Sequence, residues 1–296
     1  MTDLVMRGFD GCNPLGFFAA LGSLAAVHSS RATLRWHWEG AWRPVLRSEV
    51  TDIGAFVKLL DQDRAACAAD PALDLEYSDK RDLKPPPILF RQYLETLAAA
   101  SSPHHRRSVD WAASFATDVA TDNNGNTKPT ALHFTAGQQQ FLQMIQDLVG
   151  GVTERDLREA VEGPWQYDRA LPVMGWDATS SRDYALRASD PSTDKKLGVP
   201  GADWLAVRGL VFFPAVPVGT RVRTTACDGG WKTGKFRWPI WTVPLGSDVI
   251  RSLMTLRFDE MSASDRAALG VDALFSAGIK RSDQGGYGSF EPATAL

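Results

Sequence analysis

The first part of the chain has a clear hydrophobic periodicity. Leu4–Phe9 predicts a short strand. Asn13 then suits a helix cap and Pro14 the first helical position, and apolar side chains recur every three or four residues as far as Leu24. Because most faces of this predicted helix are apolar, we expect it to be buried.

A two-residue alternation follows the helix. Apolar and polar side chains alternate over Thr33–Trp38, which predicts a half-buried strand, and Trp42–Leu46 is its expected hairpin partner. Asp52 then suits the cap of a second helix. The N-terminal unit is therefore predicted to run β-α-β-β-α.

The middle of the chain is predicted to be largely helical. The helical segments are expected at Leu89–Leu97, Trp111–Phe115, Phe141–Leu148 and Leu157–Val161. Thr135 with Gln138 predicts a capping box for the third of these helices, and Thr153 suits the cap of the fourth. The polar run Thr121–Lys128 is predicted to be a loop.

The C-terminal part combines strands and closing helices. Val222–Thr225 and Phe236–Val243 flank the turn residues 228–230 and predict a hairpin, after an apolar helix or strand over Asp203–Phe213. The closing elements are expected at Asp248–Leu256 and Ser264–Phe275, as helices, and at Gly285–Phe290, as a strand. The predicted fold class is α+β. Residues 1–163 and 201–296 form its two main regions, joined by a structured loop or linker at 164–200, unless the whole chain is one continuous domain.

Composition limits the class of protein. A hydrophobic fraction of 44% with 23% charged residues is typical of a folded globular chain. The net charge of -3 argues against a globally basic nucleic-acid binder but allows a local basic face. The three cysteines form no CxxC pair, and Met1–Asp10 lacks the positive charge of a signal peptide. We therefore expect a reduced, cytoplasmic protein without disulfides or a thiolate zinc site.

The chain lacks the local motifs of common catalytic and cofactor sites. It contains no GxxxxGK[ST], no GxGxxG after a predicted strand, no HExxH and no GxSxG. This favours a binding role and predicts no cofactor. An active site built from scattered residues would leave no such trace and stays open.

A basic segment gives the best indication of a binding surface. Ten cations stand against three aspartates: Lys195, Lys196, Arg208, Arg221, Arg223, Lys232, Lys235, Arg237, Arg251 and Arg257. The predicted contact residues in its centre are Arg221, Arg223, Trp231, Lys232, Lys235 and Arg237. Cations can neutralise phosphates while aromatic rings stack on bases, so this hairpin is predicted to contact nucleic acid or an acidic partner. The alternative is a solvated strand whose tryptophans face the core.

A glycine-rich stretch near the C-terminal end is a second candidate contact. It includes Arg281, Gly285, Gly286 and Tyr287. Glycines allow a backbone to approach a phosphate or another chain closely. Glycine-rich turns without a binding function are also common.

Histidines provide the alternative of a metal-dependent nuclease. Its ligands would be His104, His105, Asp110 and His133. Adjacent histidines on a helix point about 100° apart, so they seldom bind one ion together. The competing interpretation is a solvated polar helix start.

The opening segment also resembles a known family. Its residues Arg7-Gly8-Phe9-Asp10-Gly11-Cys12-Asn13-Pro14-Leu15-Gly16 resemble the entry of CRISPR-associated proteins of type I-G systems, formerly I-U. The similar family is an accessory, large-subunit-like one that is described as an extension of the signature helicase–nuclease. Internal segments that look like its landmarks are Thr135–Leu142, Pro164-Trp165, Tyr184–Arg187 and Trp238–Trp241.

The resemblance implies a role in an RNA-guided antiviral interference system. Proteins of this kind bind nucleic acid and partner proteins without catalysis. The implied partners are CRISPR-associated effector proteins or the interference helicase–nuclease, with guide RNA or target DNA as the nucleic acid. A purely protein-binding adaptor is the other open alternative.

Overall fold

Helix α1, Pro14–Ala26, lies at the centre of the molecule because it has no polar face to present to water. In the computed structural model, which describes residues 1–102, 105–135, 137–178, 197–281 and 288–296, every side chain from Pro14 to Leu24 is buried. The Asn13 side chain accepts a hydrogen bond from the Leu15 N–H at 3.0 Å, and Pro14 occupies the first turn. The predicted cap and the predicted burial are both confirmed.

The remaining helices surround α1. They are α2 (Ile53–Cys67), α3 (Pro87–Ala100), α4 (Arg107–Phe115), α5 (Phe141–Gly151), α6 (Glu154–Glu162), α7 (Pro200–Gly209), α8 (Ser247–Leu253) and α9 (Ala263–Ala268). Short 3-10 turns at Pro71–Leu73, Leu210–Phe212 and Phe258–Glu260 join several of them to their neighbours. No helix among the described residues has the length and the apolarity that crossing a membrane requires.

Two antiparallel sheets pack on this helical centre. Strands β1 (Thr2–Val5), β2 (Thr33–Trp38) and β3 (Trp42–Ser48) form a sheet in the order β1-β3-β2. The strands of the larger sheet are β8 (Cys227–Asp228), β9 (Thr233–Trp241), β10 (Val271–Arg281), β11 (Gly288–Phe290) and β12 (Thr294–Ala295). They pair in the order β11-β10-β9-β8, and β12 pairs with β10 as well. The mixture of helices and antiparallel sheets confirms the α+β class. The order of the first five elements confirms the predicted β-α-β-β-α unit.

Two short ribbons complete the fold. Strand β4 (Ala116–Thr121) pairs with β5 (Thr127–Pro129), and β6 (Ala215–Val218) pairs with β7 (Arg221–Thr224). The three cysteines are free thiols.

Helices α1 and α7 cross so closely that their backbones are in contact. A Cβ atom on Gly22 would lie 1.7 Å from the carbonyl oxygen of Leu205, and one on Gly209 would lie 2.3 Å from that of Phe18. All ten residues of α7 are buried. The glycines therefore allow two helices that are distant in sequence to pack closely.

Aromatic side chains connect α1 to both sheets. The ring of Phe17 stacks on Trp36 of β2 with centroids 5.7 Å apart, and it also contacts Trp238 of β9 at 5.9 Å. The indole N–H of Trp238 donates to the Gly11 carbonyl, and that of Trp241 donates to the Leu34 carbonyl, both at 2.8 Å. Side chains from both ends of the chain thus share one core.

Two strand predictions are wrong in their pairing or position. The segment Val222–Thr225 was expected to pair with Phe236–Val243, but β7 pairs with β6 and β9 pairs with β8 and β10. The first strand is Thr2–Val5 rather than Leu4–Phe9, because Gly8 and Gly11 already belong to the close-packed turn before α1.

The helix predicted over Ser264–Phe275 is also wrong. Helix α9 ends at Ala268, and Gly270 adopts a φ of 75°, a left-handed conformation that ends helices. The chain then enters the long strand β10 at Val271. The glycine that ends α9 is visible in the sequence.

The capping box predicted at Thr135 and Gln138 does not form. Helix α5 begins at Phe141 with no side-chain cap from Gln140. Asp82 accepts the Phe141 N–H at 3.1 Å instead, and the Arg81 carbonyl accepts the next N–H. The caps predicted at Asp52 and Thr153 are confirmed, the latter as a full capping box.

Substituting Gly22 with alanine tests the helix crossing. The new methyl group would overlap the Leu205 carbonyl oxygen, so we expect Gly22→Ala to lower the free energy of unfolding by about 2–4 kcal/mol in urea titrations. The matched control is Gly150→Ala in α5, where a Cβ meets nothing within 4 Å, and it should be neutral or stabilising by up to about 1 kcal/mol. Equal effects would contradict the close crossing.

A buried carboxyl group makes stability depend on pH. Asp203, in the first turn of α7, accepts a hydrogen bond from the Met174 N–H at 3.0 Å, and its Oδ2 atom has no partner among the described residues. Burial, together with the nearby Asp177 carboxylate, raises the pKa of Asp203 from 3.8 to about 8. Between these values the folded protein binds more protons than the unfolded chain, so rising pH destabilises it.

We therefore expect the free energy of unfolding to fall from pH 6.5 to pH 8 relative to Asp203→Asn, with a slope of at most about 1.4 kcal/mol per pH unit. The asparagine keeps the acceptor for Met174 but does not titrate. Denaturant titrations across this range measure the slope, and parallel curves for the two proteins would contradict the assignment.

Candidate functional site: a basic cleft beside Trp231

A cleft of about 180 Å³ brings together several of the predicted contact residues. Arg221 and Arg223 come from β7, Trp231 from the turn before β9, and Arg281 from the end of β10. We call it the stacking cleft. The end of β10 therefore meets two neighbouring segments, β7 and the turn before β9, at one surface.

The β6–β7 ribbon positions the two arginines. Its tight turn includes Gly219 at a φ of 59°, and the register pairs Val218 with Arg221. Arg221 and Arg223 are both exposed because alternate residues of a strand point to the same side. The buried Thr224 fixes the ribbon, since its hydroxyl accepts the Ala131 N–H at 2.8 Å.

Arg281 forms the base of the cleft. Its guanidinium donates to three backbone carbonyls, those of Trp231 at 3.0 Å, His133 at 2.8 Å and Ala131 at 2.7 Å. The same group lies over the Trp231 ring, 3.7 Å from the ring centroid. Arg281 is 8% exposed, whereas Trp231 is 37% exposed. One face of the indole is thus covered by a fixed cation, and part of the residue remains open to the solvent.

Among the described residues, the three arginines of the cleft have no acidic partner. Burial lowers the pKa of Arg281 to about 10, so its guanidinium remains charged at neutral pH. Among the described residues, no carboxylate pairs with Arg281, Arg221 or Arg223. Asp228, which also lines the cleft, is already paired with Arg237.

The other predicted contact residues do not line this cleft. Lys232 and Lys235 are exposed at the start of β9, whereas Arg237 is half-buried and pairs with Asp228 and, at 3.4 Å, with Asp259. Trp238 is fully buried, so for this tryptophan the interpretation as a core residue holds. The predicted positions Gly285, Gly286 and Tyr287, like Lys195 and Lys196, lie outside the described residues.

The residues of the metal-nuclease alternative are placed in different surroundings. His133 is buried and its Nε2 lies 2.8 Å from Asp82, and burial lowers the pKa of this histidine. Asp110 instead pairs with Arg106, the N-cap residue of α4, and with Arg251 of α8, and His105 lines the same cleft as Asp110. His104 lies outside the described residues. Among the residues that the structure describes, no group of three or more His, Cys, Asp or Glu side chains could hold a metal ion.

Sequence reasoning did not foresee the contact between Arg281 and Trp231. Fifty positions separate the two residues, and neither carries a local signal of the other. By contrast, Arg221 and Arg223 are two residues apart, so any strand that contains both places them on the same face.

Compared with known protein families and with curated protein sequences, the chain matches none.

The three carbonyl contacts of Arg281 can be tested by a conservative substitution. The Nε, Nη1 and Nη2 atoms of Arg281 each donate to a different carbonyl, and a lysine ammonium cannot replace all three hydrogen bonds. Arg281→Lys should therefore lower the free energy of unfolding by about 2–4 kcal/mol. The matched control is the exposed Arg223→Lys, which should stay within about 0.5 kcal/mol of the wild type. Denaturant titrations compare the three proteins, and a neutral Arg281→Lys would refute this role.

Proposed function

We propose that this protein is a non-catalytic, CRISPR-associated subunit that binds single-stranded guide RNA or target DNA through the stacking cleft. The observation that carries the proposal is the exposed Trp231, backed by the buried Arg281 and flanked by two arginines without an ion-pair partner among the described residues. Its expected partners are the effector proteins or the helicase–nuclease of such a system.

The arrangement supports single strands over duplexes. An unpaired base exposes its faces and can stack on the outer side of Trp231, a contact worth about 1–3 kcal/mol. Paired bases are already stacked within their helix. The guanidinium of Arg281 holds the indole ring in place from behind, which reduces the conformational entropy lost when a base binds.

The two arginines supply the electrostatic part of binding. Arg221 and Arg223 are two residues apart on one strand, roughly 6.8 Å along its axis, and can contact successive phosphates of an extended backbone. The whole chain carries a net charge of -3, so the attraction is local. Few phosphate contacts give modest affinity, which suits a subunit that acts within a larger assembly.

The resemblance of the opening segment to type I-G proteins supports the biological setting. In the structure, the resembling residues Gly8, Gly11 and Gly16 lie against neighbouring groups that leave no room for a side chain. The motif thus has a packing role, and the contact with nucleic acid is assigned to a different part of the chain.

Two variants separate stacking from charge. Trp231→Ala should weaken binding of a labelled 12-nucleotide single strand by about 5–150-fold without changing the dependence on salt, because it removes no charge. Arg221→Gln with Arg223→Gln should reduce the slope of log K against log salt concentration by roughly 1.4, for two lost contacts. Fluorescence anisotropy over a salt series measures both quantities.

The controls are chosen from the same chain. Arg155→Gln with Arg158→Gln removes two exposed arginines of α6 and should leave binding unchanged, while Trp231→Phe should retain most of the affinity. Unchanged binding in Trp231→Ala would refute the stacking cleft. If partner proteins still co-purify after nuclease treatment and no variant affects single-strand binding, the chain is a protein-binding adaptor.

A further inference from the structure

A second cleft lies on another part of the surface. It measures about 330 Å³ and opens where the end of α1 meets the start of α4, the end of α7 and helix α8. Four arginines line it, Arg106, Arg107, Arg208 and Arg251, and we call it the arginine cleft. It shares no lining residue with the stacking cleft, so its function can be tested independently.

Buried carboxylates hold two of the arginines in fixed positions. Arg208 makes a two-point contact with Asp63, at 2.7 and 3.2 Å, and both side chains are almost fully buried. Arg107 donates to Asp70 at 2.6 Å. These residues give the base of the cleft a rigid arrangement of donors.

The other two arginines reach into the open part of the cleft. Arg106 and Arg251 both donate to Asp110 at 3.0 Å, and their side chains are 63% and 34% exposed. Among the described residues, the Nη1 atom of Arg106 and the Nε atom of Arg251 have no hydrogen-bond acceptor. These donors are available to a ligand.

The start of α4 adds backbone donors. Its N-cap residue, Arg106, provides no side-chain cap, and Arg107 and Ser108 line the cleft. Within the described part of the chain, no acceptor is present for their N–H groups. The first N–H groups of a helix, together with its dipole, favour an anion.

The charges in the cleft select the class of ligand. Four arginines face three aspartates, Asp63, Asp70 and Asp110, so cations outnumber carboxylates. A metal cation would be repelled. A tetrahedral anion can accept hydrogen bonds from several directions at once, as the forked guanidinium groups require.

We propose that the arginine cleft binds a phosphate group, either of a free nucleotide or of a nucleic-acid backbone. Its volume exceeds that of a single phosphate and lies within the range of pockets that hold small molecules, so the rest of such a ligand has room beside the arginines.

Titration of the full chain with pyrophosphate tests this proposal. Calorimetry should detect binding to the wild type, and Arg106→Gln with Arg251→Gln should weaken it by at least about tenfold. The matched control is Arg91→Gln, which removes an exposed arginine of α3 that pairs with Asp118 of β4, and this variant should bind as the wild type does. If the double variant does not fold, Arg106→Gln alone leaves Asp110 paired with Arg251 and should still weaken binding.

Two further probes identify the source of the phosphate. AMP and a dephosphorylated 12-nucleotide strand are each titrated into the wild type and the double variant. If the double variant binds AMP more weakly but binds the strand as the wild type does, the ligand is a free nucleotide. If the strand also loses affinity, the cleft contacts a nucleic-acid backbone. Pyrophosphate binding that is no stronger than that of chloride at equal ionic strength, or that is equal in the double variant and the wild type, would overturn the proposal.

Discussion

The close crossing of α1 and α7 determines how the rest of the protein is assembled. Gly22 and Gly209 bring each backbone against the other, and no side chain fits between them. Because α1 is apolar on all sides, both sheets must cover it, and the rings of Trp36 and Trp238 do so on either side of Phe17. The family-like opening segment is therefore best understood as a packing solution.

Arg208 and Arg281 are both buried, but their different hydrogen-bond partners give their charges different effects. Arg208 is neutralised by Asp63, so it contributes mainly shape and orientation to its surroundings. Arg281 is satisfied by backbone carbonyls, which accept hydrogen bonds without cancelling its charge. Its positive charge therefore remains effective at the neighbouring surface, beside an exposed aromatic ring. A mildly acidic chain can carry a strongly cationic spot in this way.

Features that depend on a few adjacent residues could be predicted from the sequence. The caps at Asn13, Asp52 and Thr153 are of this kind, and so is the shared face of Arg221 and Arg223. Contacts between distant segments could not be predicted, which explains the missed capping of α5 by Asp82. The wrong partner of β7 has a different cause, because its true partner β6 lies only a two-residue turn away, at Gly219, whereas residues 228–230 give the stronger local turn signal. The cluster of cations around β9 suggested that Arg237 is a surface contact, but Asp228 and Asp259 pair with it. For α5 and for Arg237, the deciding group belongs to another segment.

The separation of α1 and α7 along the chain has a consequence for biosynthesis. After α1 leaves the ribosome, residues 27–199 must be translated before its partner helix begins to emerge. At about 5–20 residues per second, this takes roughly nine to thirty-five seconds. During that time, only segments that precede α7 can cover α1, such as β2 with Trp36. The face of α1 around Gly22, against which Leu205 and Gly209 pack in the folded protein, has no native cover until α7 emerges.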